Sequence, residues 1–254
     1  MTTVSISVCI PARNEAATIG ELVRAVVAQP GLLEVLVLNH ASTDATEVTA
    51  RDAGARVVSA DDVLPEFGPA LGKGDVLWRS VHIAQGDVIV WLDADLRSFT
   101  PEYLTALVQP FAADANIALV KPDYARTING SPTGGGRITE RTAKPALREL
   151  HPHLAHIHQP LAGEYAIRRE VARQVPFEID YGVEIGLLID VANKYGTEAI
   201  AEVKIPPRVH RNRPDAELAE PSHQVLRTTM SRAGLTKRHI RPPLASIESA
   251  VAYA

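Results

Sequence analysis

The sequence predicts an α/β fold, a mostly parallel sheet flanked by helices on both faces. Three observations predict it. Short, almost wholly apolar runs at 4–10, 35–38, 57–58 and 88–92 read as strands buried on both sides. The stretches between them place apolar residues at helical spacing. Strand and helix therefore alternate, the order that parallel strands joined by crossover helices require.

Each element has its own signal. The run 4–10 stops at Pro11, and Ile19, Leu22, Val23 and Val26 then mark one face of a helix that Pro30-Gly31 ends. After the strand at 35–38, Asp44 and Glu47 are spaced as a capping box opening a helix that Gly54 closes. The loop 60–73 carries Pro65, Gly68, Pro69 and Gly72, and a loop of this length inside a compact domain is usually functional. A helix at 75–84 closes at Gly86, and the strand 88–92 runs straight into Asp93-Ala94-Asp95. Thr100-Pro101 reads as a helix start with proline at its first position, and 117–120 as a strand. Further on, a glycine-rich loop leads into a helix at 138–150, and 182–195 is a helix followed by a strand at 199–205. The last predicted helix covers 217–233, broken near Pro221. From Thr236 the chain is weakly patterned, as a tail or an arm that packs on a partner would be.

The chain has 254 residues, enough for one large domain or for two small ones sharing a core. It carries 30 acidic against 26 basic residues, a formal charge of −4, which argues against bulk nucleic-acid or anionic-membrane binding. Cys9 is the only cysteine, so an internal disulfide and a cysteine-cluster metal site are excluded. The N-terminal run has no basic region before it and reaches Pro11 too soon for a signal peptide. No apolar stretch approaches the roughly 18 residues of a membrane span. A cytoplasmic location, with no membrane and no nucleic-acid partner, is the expectation.

Parallel sheets bind ligands at the carboxyl ends of their strands. The polar residues there are Arg13-Asn14-Glu15, Asn39-His40, Lys73 and the Asp93/Asp95 pair. Two carboxylates two residues apart suit a hard dication that takes its other ligands from diphosphate and water. A bare Asp-x-Asp also serves as a solvated turn, but its place at a strand end with Lys73 upstream favours the metal. A second signal is Thr133-Gly134-Gly135-Gly136-Arg137-Ile138-Thr139-Glu140. Glycines let successive N–H groups converge on an anion, a following helix adds its dipole, and Arg137 can grip phosphate or carboxylate. The competing account is a plain loop with a solvated arginine. A third is Arg208-Val209-His210-Arg211-Asn212-Arg213-Pro214, where an extended backbone would put Arg208, His210 and Asn212 on one face. His210 is a candidate nitrogen ligand, and Arg208 and Arg213 candidates to neutralise diphosphate; a solvated basic turn is the alternative. Glu184, among apolar residues at a helix start, needs either sugar hydroxyls or a capping role. The four histidines at 151, 153, 156 and 158 have no local acidic or cysteine partner, and a surface or oligomer contact suits them better than a metal.

Taken together, Pro11-Ala12-Arg13-Asn14-Glu15, Ala41-Ser42-Thr43-Asp44, Gly72-Lys73-Gly74 and Asp93-Ala94-Asp95 resemble the nucleotide-sugar glycosyltransferases of GT-A type. The later blocks at 134–140, 159–165, 181–187 and 210–214 are similar to the glucosyl-3-phosphoglycerate synthase family. The resemblance runs from about residue 5 to residue 234. It implies a Rossmann-like single domain over 1–254. Residues 1–95 would bind the nucleotide sugar, 96–235 the acceptor, and 236–254 would form a C-terminal tail. It implies Mg²⁺- or Mn²⁺-dependent, retaining transfer of glucose from UDP-glucose to the 2-hydroxyl of 3-phosphoglycerate. A mannose donor or a polyprenyl-phosphate acceptor is the alternative.

By the same resemblance, Pro11, Ala12, Glu15, His40, Lys73, Asp93 and Arg208 would serve the donor. Asp95 and His210 would hold the metal, while Glu184 and the 161–163 backbone, with Leu161, would position the sugar. Gly136, Arg137, Thr139, Asn212 and Arg213 would hold the acceptor. Glu184 is the one candidate for a carboxylate nucleophile; a front-face route using the leaving diphosphate is the other possibility. Where this family shows an acidic residue and a serine, the chain has Asn39-His40-Ala41, which leaves GDP- and ADP-sugars open as donors. A homodimer is expected, with the tail and the histidine-rich segment as its candidate surfaces.

Overall fold

The computed structural model describes residues 4–127, 136–209 and 217–252. In chain order its first half contains β1 (Ile6–Ala12), α1 (Ile19–Val27), β2 (Leu32–Asn39), α2 (Thr46–Asp52), β3 (Arg56–Ser59), α3 (Lys73–Ile83) and β4 (Val88–Trp91). There follow α4 (Pro101–Ala113), β5 (Leu119–Asp123), β6 (Arg126–Thr127), α5 (Lys144–Leu150), β7 (Tyr165–Arg168), α6 (Arg169–Arg173) and β8 (Phe177–Glu178). The chain continues with α7 (Val183–Tyr195), β9 (Ile200–Lys204), β10 (Arg208–Val209), α8 (Ala219–Arg232), β11 (Ile240–Arg241) and α9 (Leu244–Ala252).

The main sheet has seven strands in the order β3-β2-β1-β4-β7-β5-β9. β1 pairs in parallel with β2 and β4, while β7 runs antiparallel to both β4 and β5. The predicted mostly parallel sheet is therefore present, with one reversed strand that no local pattern announced. The continuous apolar runs have a simple cause. In β1, Val8 and Ile10 join one apolar layer and Cys9 the other; in β4, Val88 and Val90 face one way, Ile89 and Trp91 the other. Alternating side chains must be apolar throughout when helices cover both faces. α1 and α4 bury Leu22, Val23, Leu107 and Phe111 against the first face. α3 and α7 bury Leu77, Trp78, Ile185 and Leu188 against the second.

Four expectations change. Asp44 and Glu47 do not form a capping box. Asp44 accepts from the Thr46 and Ala16 backbone N–H groups, and Glu47 binds Arg51 and Asn39. Pro221 does not break α8, because it sits in the first turn, where its missing N–H costs nothing. The expected 138–150 helix begins as a π-helical turn over Thr139–Ala143 before α5. The weakly patterned segment after Thr236 packs on its own chain: β11 pairs with β8, and Leu244 of α9 is buried in the core. Among the described residues no helix is long and apolar enough to cross a membrane.

Candidate active site

The carboxyl ends of β1, β2 and β4 open into a cavity of about 450 Å³. The sheet brings the separated sequence blocks together there. Pro11, Ala12 and Glu15 come from the end of β1, His40 from the end of β2, Lys73 from the start of α3, and Asp93 and Asp95 from beyond β4. Tyr181, the first residue of the 181–187 block, also lines it, as do Leu71, Asp180 and Gln224, which were not singled out from the sequence.

The turns that make this wall are unusual. Asn14 and Ala41 both take left-handed backbone, at φ 57° and 49°. Non-glycine residues hold such conformations only where their surroundings impose them. Here the Thr43 N–H donates to Asn14 Oδ1 at 2.8 Å, and the His40 N–H donates to the Ala12 carbonyl at 2.8 Å, locking the two strand ends together. Asn39 is buried and turned away from the cavity; its amide binds Glu47 Oε2 and the Ser42 N–H. It is His40 that faces the cavity, its Nε2 3.0 Å from the Ala70 carbonyl.

Lys73, Asp93 and Asp95, which line the cavity, belong to a compact charge cluster. Lys73 Nζ lies 2.7 Å from both Asp93 Oδ1 and Glu184 Oε1. Arg208 Nη2 donates to Asp93 at 2.9 Å and Asp95 at 3.1 Å, and its Nε lies 2.9 Å from Glu164 Oε1. Burial opposes the charge on Lys73, but Asp93 and Glu184 outweigh it and hold the ammonium well above the ordinary lysine range. The same contest, won by Glu164 and Asp93, keeps Arg208 charged. Glu164, fully buried, is another residue that sequence reasoning missed. The available signal was a carboxylate opening the apolar run Tyr165-Ala166-Ile167, where only a buried partner makes it tolerable.

Gly163 allows the turn before β7 to lie against this cluster. A Cβ there would fall 2.3 Å from Asp93 Oδ2, so only glycine lets the backbone approach. Leu161 lies two residues earlier, half-buried against the core. Glu184 touches the cluster through Lys73 but does not itself line the cavity.

The residues expected to hold the acceptor are gathered less clearly. Gly136, with φ 71°, and Arg137 lead into the π-helical turn, where Thr139 is buried; that turn packs on α8, and none of the three lines the cavity. Gly134, Gly135, His210, Asn212 and Arg213 lie outside the described residues. His151 of the histidine-rich segment is buried, with Nε2 3.1 Å from the Thr229 carbonyl, whereas His158 is exposed and lies beside Glu202.

The residues present fit a divalent cation. Among the described residues the cluster sets the carboxylates of Asp93, Asp95, Glu164 and Glu184 against two cations, Lys73 and Arg208. These are hard oxygen donors of the kind Mg²⁺ and Mn²⁺ take. No group of three histidine, cysteine or acidic residues forms a complete metal site among the described residues.

A mixed sheet of this order, with an Asp-x-Asp pair beside a strand-end cavity, is the architecture of the GT-A glycosyltransferases. Residues 7–176 match the family described as glycosyl transferase family 2. The glucosyl-3-phosphoglycerate synthase of Mycolicibacterium paratuberculosis is 45% identical over 240 residues, covering 91% of this chain and 73% of that protein. The synthase of Petrotoga mobilis is 40% identical over 238 residues, covering 90% of this chain and 73% of its own length. The crystal structure of glucosyl-3-phosphoglycerate synthase from Mycobacterium tuberculosis with Mn²⁺, UDP-glucose and phosphoglyceric acid superposes with a TM-score of 0.88 at 42% identity, over 96% of this chain and 91% of that one. A structure of the same enzyme with Mg²⁺ and UDP gives 0.88 at 40% identity, over 96% and 92%. The chain belongs to glycosyl transferase family 2 and, within it, to the glucosyl-3-phosphoglycerate synthases.

Proposed function

We propose that this protein transfers glucose from UDP-glucose to the 2-hydroxyl of 3-phosphoglycerate, releasing UDP. The observation that carries the reading is the meeting of Asp93, Asp95, Lys73, His40 and Glu15 around one strand-end cavity, in a chain whose relatives bear the name of that reaction. In the transfer, the bond from the anomeric carbon to the diphosphate breaks and a bond to the acceptor oxygen forms. The hydroxyl proton leaves with a diphosphate oxygen.

Pro11, Ala12, Glu15 and His40 form the wall for the nucleoside. Asp95 and His210, with Asp93 nearby in sequence, would hold Mg²⁺ or Mn²⁺, which when bound would supply positive charge to offset that building on the leaving diphosphate. Arg208 adds a fixed positive charge beside it. Glu184, paired with Lys73 and off the cavity surface, suits an acceptor of sugar hydroxyl bonds better than a nucleophile. This favours the front-face, retaining route. Gly136, Arg137, Thr139, Asn212 and Arg213 would hold the phosphorylated acid, and the Leu161 turn would position the sugar. The halves 1–95 and 96–235 would act as donor and acceptor parts of one domain, in a cytoplasmic homodimer. A matrix of UDP-, GDP- and ADP-glucose against 3-phosphoglycerate and water, with each metal, tests the reading by diphosphate release. UDP-glucose with 3-phosphoglycerate should dominate; equal release to water would refute it.

A further inference from the structure

We propose that Arg241, in the C-terminal segment, is a positioning residue for the wall that faces the donor nucleotide. The inference rests on the donor reading of the cavity.

The loop between β3 and α3 supplies Leu71 and Gly72 to the cavity, and its Ala70 carbonyl holds the His40 ring. Little regular structure supports it. Apart from two short 3₁₀ turns, at Ala60–Asp62 and Pro65–Phe67, it contains Leu64 at φ 54° and Gly68 at φ 76°. Its shape is imposed by buried charge. Arg79, wholly buried on α3, donates to the Ala60 carbonyl at 3.1 Å and the Gly68 carbonyl at 2.6 Å, and also binds the Val63 carbonyl. One helical turn earlier, the fully buried Asp75 accepts the Leu71 N–H at 3.0 Å.

Asp75 in turn is held from the far end of the chain. Arg241 Nε and Nη2 each donate to it at 2.9 Å, one to each carboxylate oxygen, and Nη2 also donates to the Phe67 carbonyl at 3.1 Å. The guanidinium stacks near Phe67 and Trp78, with ring centroids 5.6 and 5.5 Å away. Trp78 Nε1–H closes the contact by donating to the Pro242 carbonyl at 3.0 Å. Arg241 thus grips the helix residue that fixes Leu71 and the loop residue Phe67 at the same time. A bidentate guanidinium–carboxylate pair is both strong and orientation-specific, and lysine cannot reproduce it. Arg241 lies outside the Lys73–Asp93–Glu184–Arg208 cluster, so its loss should move the nucleotide wall more than the chemistry.

A second contact of the same segment serves as a control. Arg173 pairs with Glu248 of α9 and fastens the C-terminal helix without touching the loop. The experiment compares Arg241→Gln, Arg241→Lys and Arg173→Gln with the parent by kcat, KM for each substrate, UDP calorimetry with Mn²⁺, and amide exchange of Ala70 and Leu71. Both Arg241 variants should raise the UDP-glucose KM and the UDP Kd by roughly tenfold, with kcat and the acceptor KM within about twofold and faster exchange at Leu71. Arg173→Gln should lower the thermal midpoint with donor KM and Leu71 exchange unchanged. Unchanged Leu71 exchange and donor KM in Arg241→Gln, or an equal effect of Arg173→Gln, overturns the proposal. A parent protein that binds no UDP, with Leu71 exchange still responding to Arg241, would instead refute the donor reading and leave the loop-positioning role standing.

Discussion

Replacing Lys73 by methionine tests the charge cluster most severely. The side chain keeps its length and loses the one ammonium that lies between two carboxylates, 2.7 Å from each. Glu184 retains 5% side-chain exposure, Lys73 18% and Asp93 21%, so water can replace little of what is lost at Glu184 and more at Asp93. Removing one partner from a buried ion pair costs about 3–5 kcal/mol, and the access of water to Asp93 places this case near 3 kcal/mol. For a chain of this size that lowers the thermal midpoint by roughly 6–12 °C. Urea unfolding of the parent, Lys73→Met, Glu184→Gln and the double variant closes the cycle. The double variant should recover most of the loss, because it no longer buries an unpaired carboxylate. The pH dependence has a definite sign. A lysine whose folded pKa is raised contributes stability in full below its unfolded value, about 10.4, and loses it as pH climbs through the folded one. The parent should therefore lose stability above about pH 10.4, and Lys73→Met should lack that component. A loss below about 1 kcal/mol, or a double variant no more stable than Lys73→Met, would refute the reasoning.

Three further outcomes follow from the same geometry. Asp95→Asn should abolish the Mn²⁺-dependent part of UDP binding by calorimetry while shifting the thermal midpoint by only a few degrees, since its partner Arg208 keeps Asp93 and Glu164. Gly163→Ala should cut kcat more than tenfold in a steady-state assay, because its methyl displaces the Asp93 carboxylate; a rate within twofold of the parent would contradict the close approach. Cys9 is fully buried in β1 with its thiol pushed up by that burial, so a maleimide should label it only after unfolding, as mass spectrometry would read.

The central strands were legible because burial on both faces demands unbroken apolar runs, and a parallel sheet then dictates where ligands bind. That reasoning alone brought Glu15, His40, Lys73, Asp93 and Asp95 to one cavity. Pro101 opens α4 and Gly54 follows α2 with positive φ, since both signals are local backbone chemistry. What escaped was long-range. β7 has an ordinary short apolar run, and nothing in it says that it inserts antiparallel between β4 and β5. The pairing of Arg241 with Asp75 spans 166 residues, and each residue alone reads as a surface charge. Asp44 and Glu47 show the reverse error. Their spacing suits a helix cap, but the strand-end turns compete for Asp44, and Arg51 and Asn39 for Glu47.

The central claim is that the strand-end cavity holds the diphosphate of a nucleotide sugar through a dication at Asp95. Crystals grown with UDP and Mn²⁺ and measured at the manganese absorption edge test it directly. The account predicts one strong anomalous peak within bonding distance of Asp95, with the uracil ring against the wall formed by Pro11, Glu15 and His40. A peak away from Asp95, or UDP bound outside this cavity, would contradict it.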